Sequence, residues 1–273
     1  MNKKTFLILG IILLGLIGGS IYFFNRSGTS FVSRMQGASS AGSLLIQAKA
    51  EEAKGNFIEA KALYRKLIGE YPNSQKVLEW EKKLEELNLK LLFSSAITAG
   101  SKAYEIKPGD SLNRIAREFK TTVELIKKEN NLSDDRITPG RKIKVWTAPF
   151  SILVDKSQNI LMLKANEEVI KTYIVSTGKN NCTPTGTFKI VNKQIDPPWF
   201  KSGAGKPIPT GSPENVLGTR WMGFDLAGYG IHGTVDPQSL GKQVTQGCVR
   251  LSNPDVEELY IIVPIGTEVT VVD

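Results

Sequence analysis

Two short stretches, Ile231-His232-Gly233-Thr234 and Thr245-Gln246-Gly247-Cys248-Val249-Arg250, dominate the carboxyl-terminal part of this 273-residue chain. His232 is its only histidine, and Cys248, one of two cysteines, follows 16 positions later. A thiol becomes an effective nucleophile when a neighbouring base or positive charge favours the thiolate, and imidazole suits this task at neutral pH. Any Cys–His site in this chain must therefore use His232.

Glycines accompany both members of this pair. Gly247 permits a tight turn that presents the Cys248 sulfur, and the amides of these two residues are candidate oxyanion-hole donors. His232 would take the thiol proton and return it to a leaving amine. Because no acidic residue stands at an obvious spacing, the Gly233 carbonyl is the candidate that fixes the imidazole tautomer. Arg250 is a candidate for binding a substrate carboxylate or supporting the thiolate, with a loop-fixing ion pair as the alternative.

The residues around this pair follow the alternating pattern of β-strands. A hairpin is predicted over residues 150–163, and further strands over residues 169–175, 187–191, 220–224, 229–232 and 267–272. The polar stretch 196–213 is too long for a simple connector and indicates a loop over a site. With one late helix at Pro254, the pattern predicts a mainly-β, sandwich-like domain over residues 148–273.

Residues 103–147 form a second compact unit. Turn signals at Pro108-Gly109 and Pro139-Gly140 each adjoin a short predicted strand. Between them, helical spacing of apolar residues predicts two helices, one from Leu112 and one from Val123. This strand–helix–helix–strand unit of about 45 residues is small, but it can be stable alone.

Residues 43–93 carry helical periodicity. Three helices are predicted, with breaks at Gly55-Asn56 and at Pro72. The spacing resembles a tetratricopeptide repeat at Gly55, Phe57, Ala60, Tyr64 and Pro72. Because one repeat cannot bury a solenoid core, we favour a helical spacer over a hairpin that binds a protein partner. Residues 25–42 and 94–102, which are rich in Ser, Ala and Gly, are predicted as flexible linkers.

The amino terminus predicts a membrane anchor. Lys3 and Lys4 precede an uncharged apolar run, residues 6–24, whose length is close to the ~20 residues that span a bilayer as a helix. The flanking positive charge favours the remainder of the chain outside the cytoplasm. We predict a signal anchor over residues 1–24 and a location in the cell envelope, with secretion after signal cleavage as the alternative.

The distribution of charge argues against nucleic acid as a partner. Net charge is +6 over residues 1–102, +3 over residues 103–147 and −1 over residues 148–273. The positive excess avoids the candidate site, and no run of Lys and Arg is interleaved with aromatic residues as a nucleic-acid surface requires. We predict neither a metal nor a cofactor.

Three segments closely resemble the L,D-transpeptidase catalytic domain, and the resemblance spans about residues 150–273. They are residues 183–188, residues 217–224, and the motif residues between Tyr229 and Leu251. The resemblance implies that Cys248 is the nucleophile and His232 the general base and acid. It also implies backbone support from Gly247 and Gly233, and substrate binding by Arg250, Arg220 and Tyr229.

The same resemblance implies a reaction. The substrate would be a peptidoglycan tetrapeptide stem, from which D-alanine leaves while a thioester forms on Cys248. An amine of a second stem would then resolve the thioester into a 3→3 cross-link. Carbapenems are expected to acylate such a thiol.

Residues 103–146 closely resemble a LysM domain, and this implies binding to N-acetylglucosamine-containing glycan, here peptidoglycan. In that family the sugar lies near the two strand–helix junctions, so we expect it around residues 109–112 and 137–140.

Other functions fit the same residues. Water as the acceptor would give an L,D-carboxypeptidase, and a protein lysine would give attachment of protein to the wall. A sortase-like transpeptidase shares the order His, Cys, Arg, but the Cys-x-Arg spacing and the His-Gly-Thr element fit it poorly. The presence of both Cys248 and His232 argues against a non-catalytic wall-binding protein. A disulfide between Cys182 and Cys248 would silence the enzyme and is a minor alternative.

Overall fold

The computed structural model describes residues 31–200 and 205–273, with side chains from residue 41 onward. The chain divides into two compact units, one that ends at Leu91 and one that begins at Leu92. Among the described helices, none is both long enough and apolar enough to cross a membrane. The anchor predicted over residues 1–24 lies outside the described residues.

The amino-terminal unit is helical. Helix α1 covers Phe31–Ala53, α2 covers Phe57–Glu70 and α3 covers Val77–Leu92. The predicted break between the first two helices occurs at Gly55, which adopts a left-handed φ of +82°. Side chains from all three helices form the core, among them Leu44, Ala48, Tyr64, Leu67, Trp80 and Leu87.

One predicted linker is part of this helical unit. Helix α1 already begins at Phe31, so the flexible linker predicted over residues 25–42 is wrong from that residue onward. The physical reason is cooperativity: Leu44 and Ala48 hold α1 in the core, and each further helical residue then adds a hydrogen bond without a new nucleation cost.

The next domain has the predicted strand–helix–helix–strand order. Strand β1 is Ser101–Glu105, α4 is Leu112–Phe119, α5 is Val123–Glu129 and β2 is Lys142–Trp146. The two strands pair antiparallel. Hydroxyl groups cap both helices: Ser111 accepts from the Arg114 amide and Thr122 accepts from the Leu125 amide. The apolar faces of both helices then close on the strands.

The second predicted linker, residues 94–102, is fixed to this domain. The buried Lys144 ammonium donates to the carbonyls of Leu92 (3.0 Å) and Ser94 (2.8 Å) and lies 3.7 Å from the buried Glu129 carboxylate. A buried charge is costly unless it finds such partners. The linker prediction is therefore wrong here, because the segment supplies hydrogen-bond acceptors to a buried lysine.

The carboxyl-terminal domain is built on one large sheet. Eight strands form it: β3 (Phe150–Asp155), β4 (Ile160–Ala165), β5 (Glu168–Ile174), β7 (Gly186–Ile195), β8 (Arg220–Phe224), β9 (Gly230–His232), β11 (Val249–Arg250) and β12 (Glu268–Val272). Their order is β11-β9-β8-β7-β12-β3-β4-β5. Two short strands, β6 (Thr177–Gly178) and β10 (Gln243–Thr245), pair separately, and helix α6 covers Asn253–Ile262.

The continuity of this sheet differs from the two separate sheets that a sandwich implies. Strand β7 is ten residues long and pairs with β12 through its first part and with β8 through its second. A register shift between Ile190 and Asn192 separates the two parts. The long strand thus joins the strands on its two sides into one continuous sheet.

Candidate active site

Pairing of two short strands brings His232 and Cys248 together. Strand β9 ends at His232, and β11 begins directly after Cys248. The strands run parallel with Val249 opposite Ile231, so Cys248 lies level with Gly230. The Leu251 amide continues the ladder by donating to the His232 carbonyl at 2.9 Å.

The imidazole of His232 is buried and oriented by a backbone carbonyl. Its Nδ1 lies 2.6 Å from the Gly233 oxygen. A proton on Nδ1 that is donated to Gly233 leaves Nε2 as the basic nitrogen. Burial, together with the charge of Arg250, lowers the pKa of His232 to about 4. The imidazole is therefore neutral at physiological pH.

The thiol of Cys248 is also neutral at rest. Its Sγ lies 3.5 Å from the Gly228 carbonyl oxygen and donates to it. Burial raises the pKa of Cys248 to about 11, although the Gly230 backbone and the Arg250 guanidinium oppose this rise. The site thus holds a thiol and an imidazole that are both neutral at rest.

The turn before Cys248 is closed by a threonine that the sequence analysis missed. The Thr245 hydroxyl accepts from the Gly247 amide at 3.2 Å and donates to the Cys248 carbonyl at 2.7 Å. The Gly247 amide, predicted as an oxyanion-hole donor, therefore donates to Thr245 in this structure. The Cys248 amide remains the candidate. A Thr two residues before a Gly is itself a signal for such a turn.

Arg250 borders an open cavity of about 400 Å³. Its Nη1 donates to the Ser239 hydroxyl at 3.1 Å, while its Nε is buried without an acceptor among the described residues. Asp236, Gln238, Ser239, Lys242, Val244 and Arg250 line the cavity. The guanidinium and the Lys242 ammonium give it the donors that bind a carboxylate.

The other two predicted substrate-binding residues lie in different surroundings. The Tyr229 ring packs against Gly247, the residue before Cys248. The Arg220 guanidinium instead donates to the Thr219 carbonyl at 2.7 Å, lies 4.0 Å from the Glu257 carboxylate and contacts the Tyr260 ring. These partners hold Arg220 against α6 and support a structural role for it.

Both cysteines are free thiols. Cys182 is exposed, and its Sγ lies 3.9 Å from the Thr245 carbonyl oxygen, on the turn that leads to Cys248. The predicted minor alternative, a disulfide between the two, is not formed in this structure.

The neutral thiol–imidazole pair predicts a distinct pH profile. Alkylation of Cys248 by iodoacetamide should accelerate about tenfold per pH unit between pH 7 and pH 10, because the thiolate is the reactive species and the pKa of Cys248 is about 11. Peptide mass spectrometry after timed exposure measures this rate, and a Cys182→Ser background removes the second thiol. A rate that levels off below pH 8 would show a thiolate held by imidazolium instead.

The chain thus combines a helical amino-terminal unit, a small strand–helix–helix–strand domain, and a β-sheet domain that carries both His232 and Cys248. Residues 149–271 match the YkuD family of L,D-transpeptidase catalytic domains, and residues 104–146 match the LysM domain. The chain belongs to the YkuD L,D-transpeptidase family and also carries a LysM domain. Both family predictions made from the motifs are confirmed.

The chain is also similar to individual curated proteins and to a solved structure. The chain is 37% identical over 175 residues to YkuD of Bacillus subtilis (strain 168), named as an L,D-transpeptidase; the match covers 62% of this chain and 97% of that protein. It is 41% identical over 128 residues to YqjB of the same strain, a match that covers 45% and 70%. A crystal structure of an Enterococcus faecium L,D-transpeptidase is 26% identical, covers 45% of this chain and 50% of its own, and has a TM-score of 0.38.

Proposed function

We propose that this protein is a peptidoglycan L,D-transpeptidase that uses Cys248 as its nucleophile and His232 as its base. The observation that carries the proposal is the parallel pairing of β9 with β11, because the only histidine of the chain ends β9 and Cys248 directly precedes β11. Family membership supports the reaction class, and the LysM domain supports peptidoglycan as the material on which it acts.

The first half-reaction transfers an acyl group to the enzyme. As the Cys248 sulfur attacks the carbonyl carbon of the third stem residue, Nε2 of His232 takes the thiol proton. The new oxyanion faces the Cys248 amide. The imidazolium then gives its proton to the departing amine, the C–N bond breaks, D-alanine leaves and a thioester remains.

The second half-reaction reverses these roles. An amine of a second stem attacks the thioester, His232 takes a proton from that amine, and the sulfur leaves as a thiol after it receives the proton. The product is a 3→3 cross-link. Arg250 and Lys242 would bind a stem carboxylate in their cavity, and the Tyr229 ring would contact the stem beside the turn at Gly247.

The proposed location follows from the substrate. The LysM domain would hold the catalytic domain at the wall by binding glycan around residues 109–112 and 137–140. Residues 6–24, apolar and preceded by two lysines, would anchor the chain in the cytoplasmic membrane. The helical unit would then act as a spacer or as a surface for a protein partner.

Incubation of the full-length chain with purified disaccharide-tetrapeptides tests this function. Mass spectrometry should show released D-alanine together with 3→3 dimers, and a carbapenem should add its mass to Cys248. Tripeptide products without dimers would favour the L,D-carboxypeptidase alternative. Failure to release D-alanine or to react with the carbapenem would refute the enzyme assignment.

A further inference from the structure

We infer that Asn253 is a positioning residue whose side-chain oxygen fixes the backbone that orients the His232 imidazole. The inference rests on the proposed role of His232 as the base. Asn253 is the first residue of helix α6. The cap of that helix is provided by its neighbour, because the Ser252 hydroxyl accepts from the Asp255 amide at 3.2 Å. The Asn253 side chain is thus available to reach other segments.

Asn253 Oδ1 accepts two backbone hydrogen bonds from separate parts of the chain. The Thr219 amide donates to it at 3.2 Å, and the Thr234 amide donates to it at 3.0 Å. Thr219 directly precedes strand β8, and Thr234 is the second residue after strand β9. One oxygen atom therefore ties the start of β8 to the backbone that leaves His232.

The bond to Thr234 acts directly on the tautomer of His232. The Thr234 amide and the Gly233 carbonyl belong to the same peptide group. Asn253 accepts from the N–H side of this group, while Nδ1 of His232 lies 2.6 Å from its oxygen. Hydrogen bonds in such a chain polarise one another and hold the peptide plane. The plane, held in this way, keeps the proton on Nδ1 and leaves Nε2 free to accept the thiol proton.

A repeated dipeptide in the sequence fits this role. Gly218-Thr219 and Gly233-Thr234 each supply one amide to Asn253. A Cβ added at either glycine would lie 2.2 Å from Asn253 Oδ1, so only glycine lets the oxygen approach.

The single histidine makes the test direct. Full-length protein labelled with ¹⁵N-histidine gives one imidazole signal set, whose shifts distinguish Nδ1–H from Nε2–H. We expect Nδ1–H in the wild type, in Asn253→Asp and in the control Pro254→Ala, an exposed neighbour. Asn253→Ala should show a mixture of tautomers. It should also lower kcat about 10–100-fold with little change in KM, because a decrease of this size is typical when a functional histidine loses the residue that orients it. Asn253→Asp should restore most of kcat.

A wild-type tautomer and kcat in folded Asn253→Ala would overturn the inference. If that variant does not fold, Asn253→Asp provides the test. A carboxylate at this position should raise the imidazole pKa measured by ¹⁵N titration, although the charge of Arg250 lowers it. An unchanged imidazole pKa would also overturn the inference. The tautomer is read without substrate. If the tautomer differs between wild type and Asn253→Ala as expected, but the wild type has no turnover, this inference is supported and the proposed function fails.

Discussion

Cys248→Ala should lower the rate of D-alanine release by about 10⁴-fold or more, because loss of a covalent nucleophile removes the thioester route entirely. The measurement is D-alanine released from tetrapeptide stems per mole of enzyme. Cys182→Ala is the matched control, since it removes the only other thiol of the chain. We expect that control to retain wild-type turnover, because the Cys182 sulfur is exposed and its contact with the Thr245 carbonyl is a weak one at 3.9 Å.

His232→Ala should match Cys248→Ala within experimental error. The chain holds no other imidazole that can take the proton, and residues that act as one unit show effects that do not add. The double variant should therefore be no slower than either single variant. Turnover that survives in Cys248→Ala but disappears in Cys182→Ala would move the nucleophile to Cys182 and contradict the site.

Local elements of this fold were predictable from the sequence because their signals are local. Alternation predicts a strand over residues 220–224, where β8 lies, and helical spacing predicts both LysM helices. The order of the strands was not predictable in this way. Strand β12 pairs parallel with β3 and antiparallel with β7, and such pairing depends on contacts between distant segments that periodicity does not record.

The two predicted linkers show the same limit. Composition treats residues 94–102 as solvated chain, yet Ser94 is an acceptor for Lys144, which lies 50 positions later. The requirement for that acceptor arises only once Lys144 is buried. The Ser, Ala and Gly content of a segment does not predict that its carbonyls accept hydrogen bonds from a distant buried charge.

Some residues of the candidate site were predictable from the sequence and others were not. Cys248 and His232 were predictable because the chemistry needs a thiol and a base, and the chain offers one histidine. Thr245 and Asn253 were not predictable, because threonine and asparagine are common residues. Their roles depend on the backbone amides from which they accept hydrogen bonds. Asn253 meets an amide 34 positions away. Only the folded arrangement shows that these side chains hold the turn at Cys248 and the peptide at His232.

Gly247→Ala should reduce the rate of Cys248 acylation by a carbapenem about 100-fold or more, because displacement of a reacting group by about 1 Å can cost that much. Two effects act together at this position. Gly247 has a φ of +118°, where residues with a side chain are strained. In addition, a Cβ would lie 2.7 Å from Cε1 of the Tyr229 ring. Acylation followed by intact-protein mass spectrometry measures the effect.

Gly241→Ala separates these two causes. Gly241 also has a positive φ, +78°, but the nearest atom to its added Cβ is an Ile174 methyl group at 3.7 Å, an ordinary contact. This control should therefore carry backbone strain of about 1–3 kcal/mol and leave the acylation rate within a few-fold of the wild type. An equal loss in both variants would assign the effect to strain alone.

The clash with the Tyr229 ring can be tested separately with a double variant. Removal of the ring in Gly247→Ala/Tyr229→Ala frees the space that the new methyl group needs, so the double variant should acylate faster than Gly247→Ala. Tyr229→Ala alone gives the baseline for lost ring contacts with the ligand. Strain at φ +118° persists in the double variant, and recovery should therefore stop short of that baseline. A double variant no faster than Gly247→Ala would mean that the turn at Cys248 depends on backbone conformation and not on its packing against Tyr229.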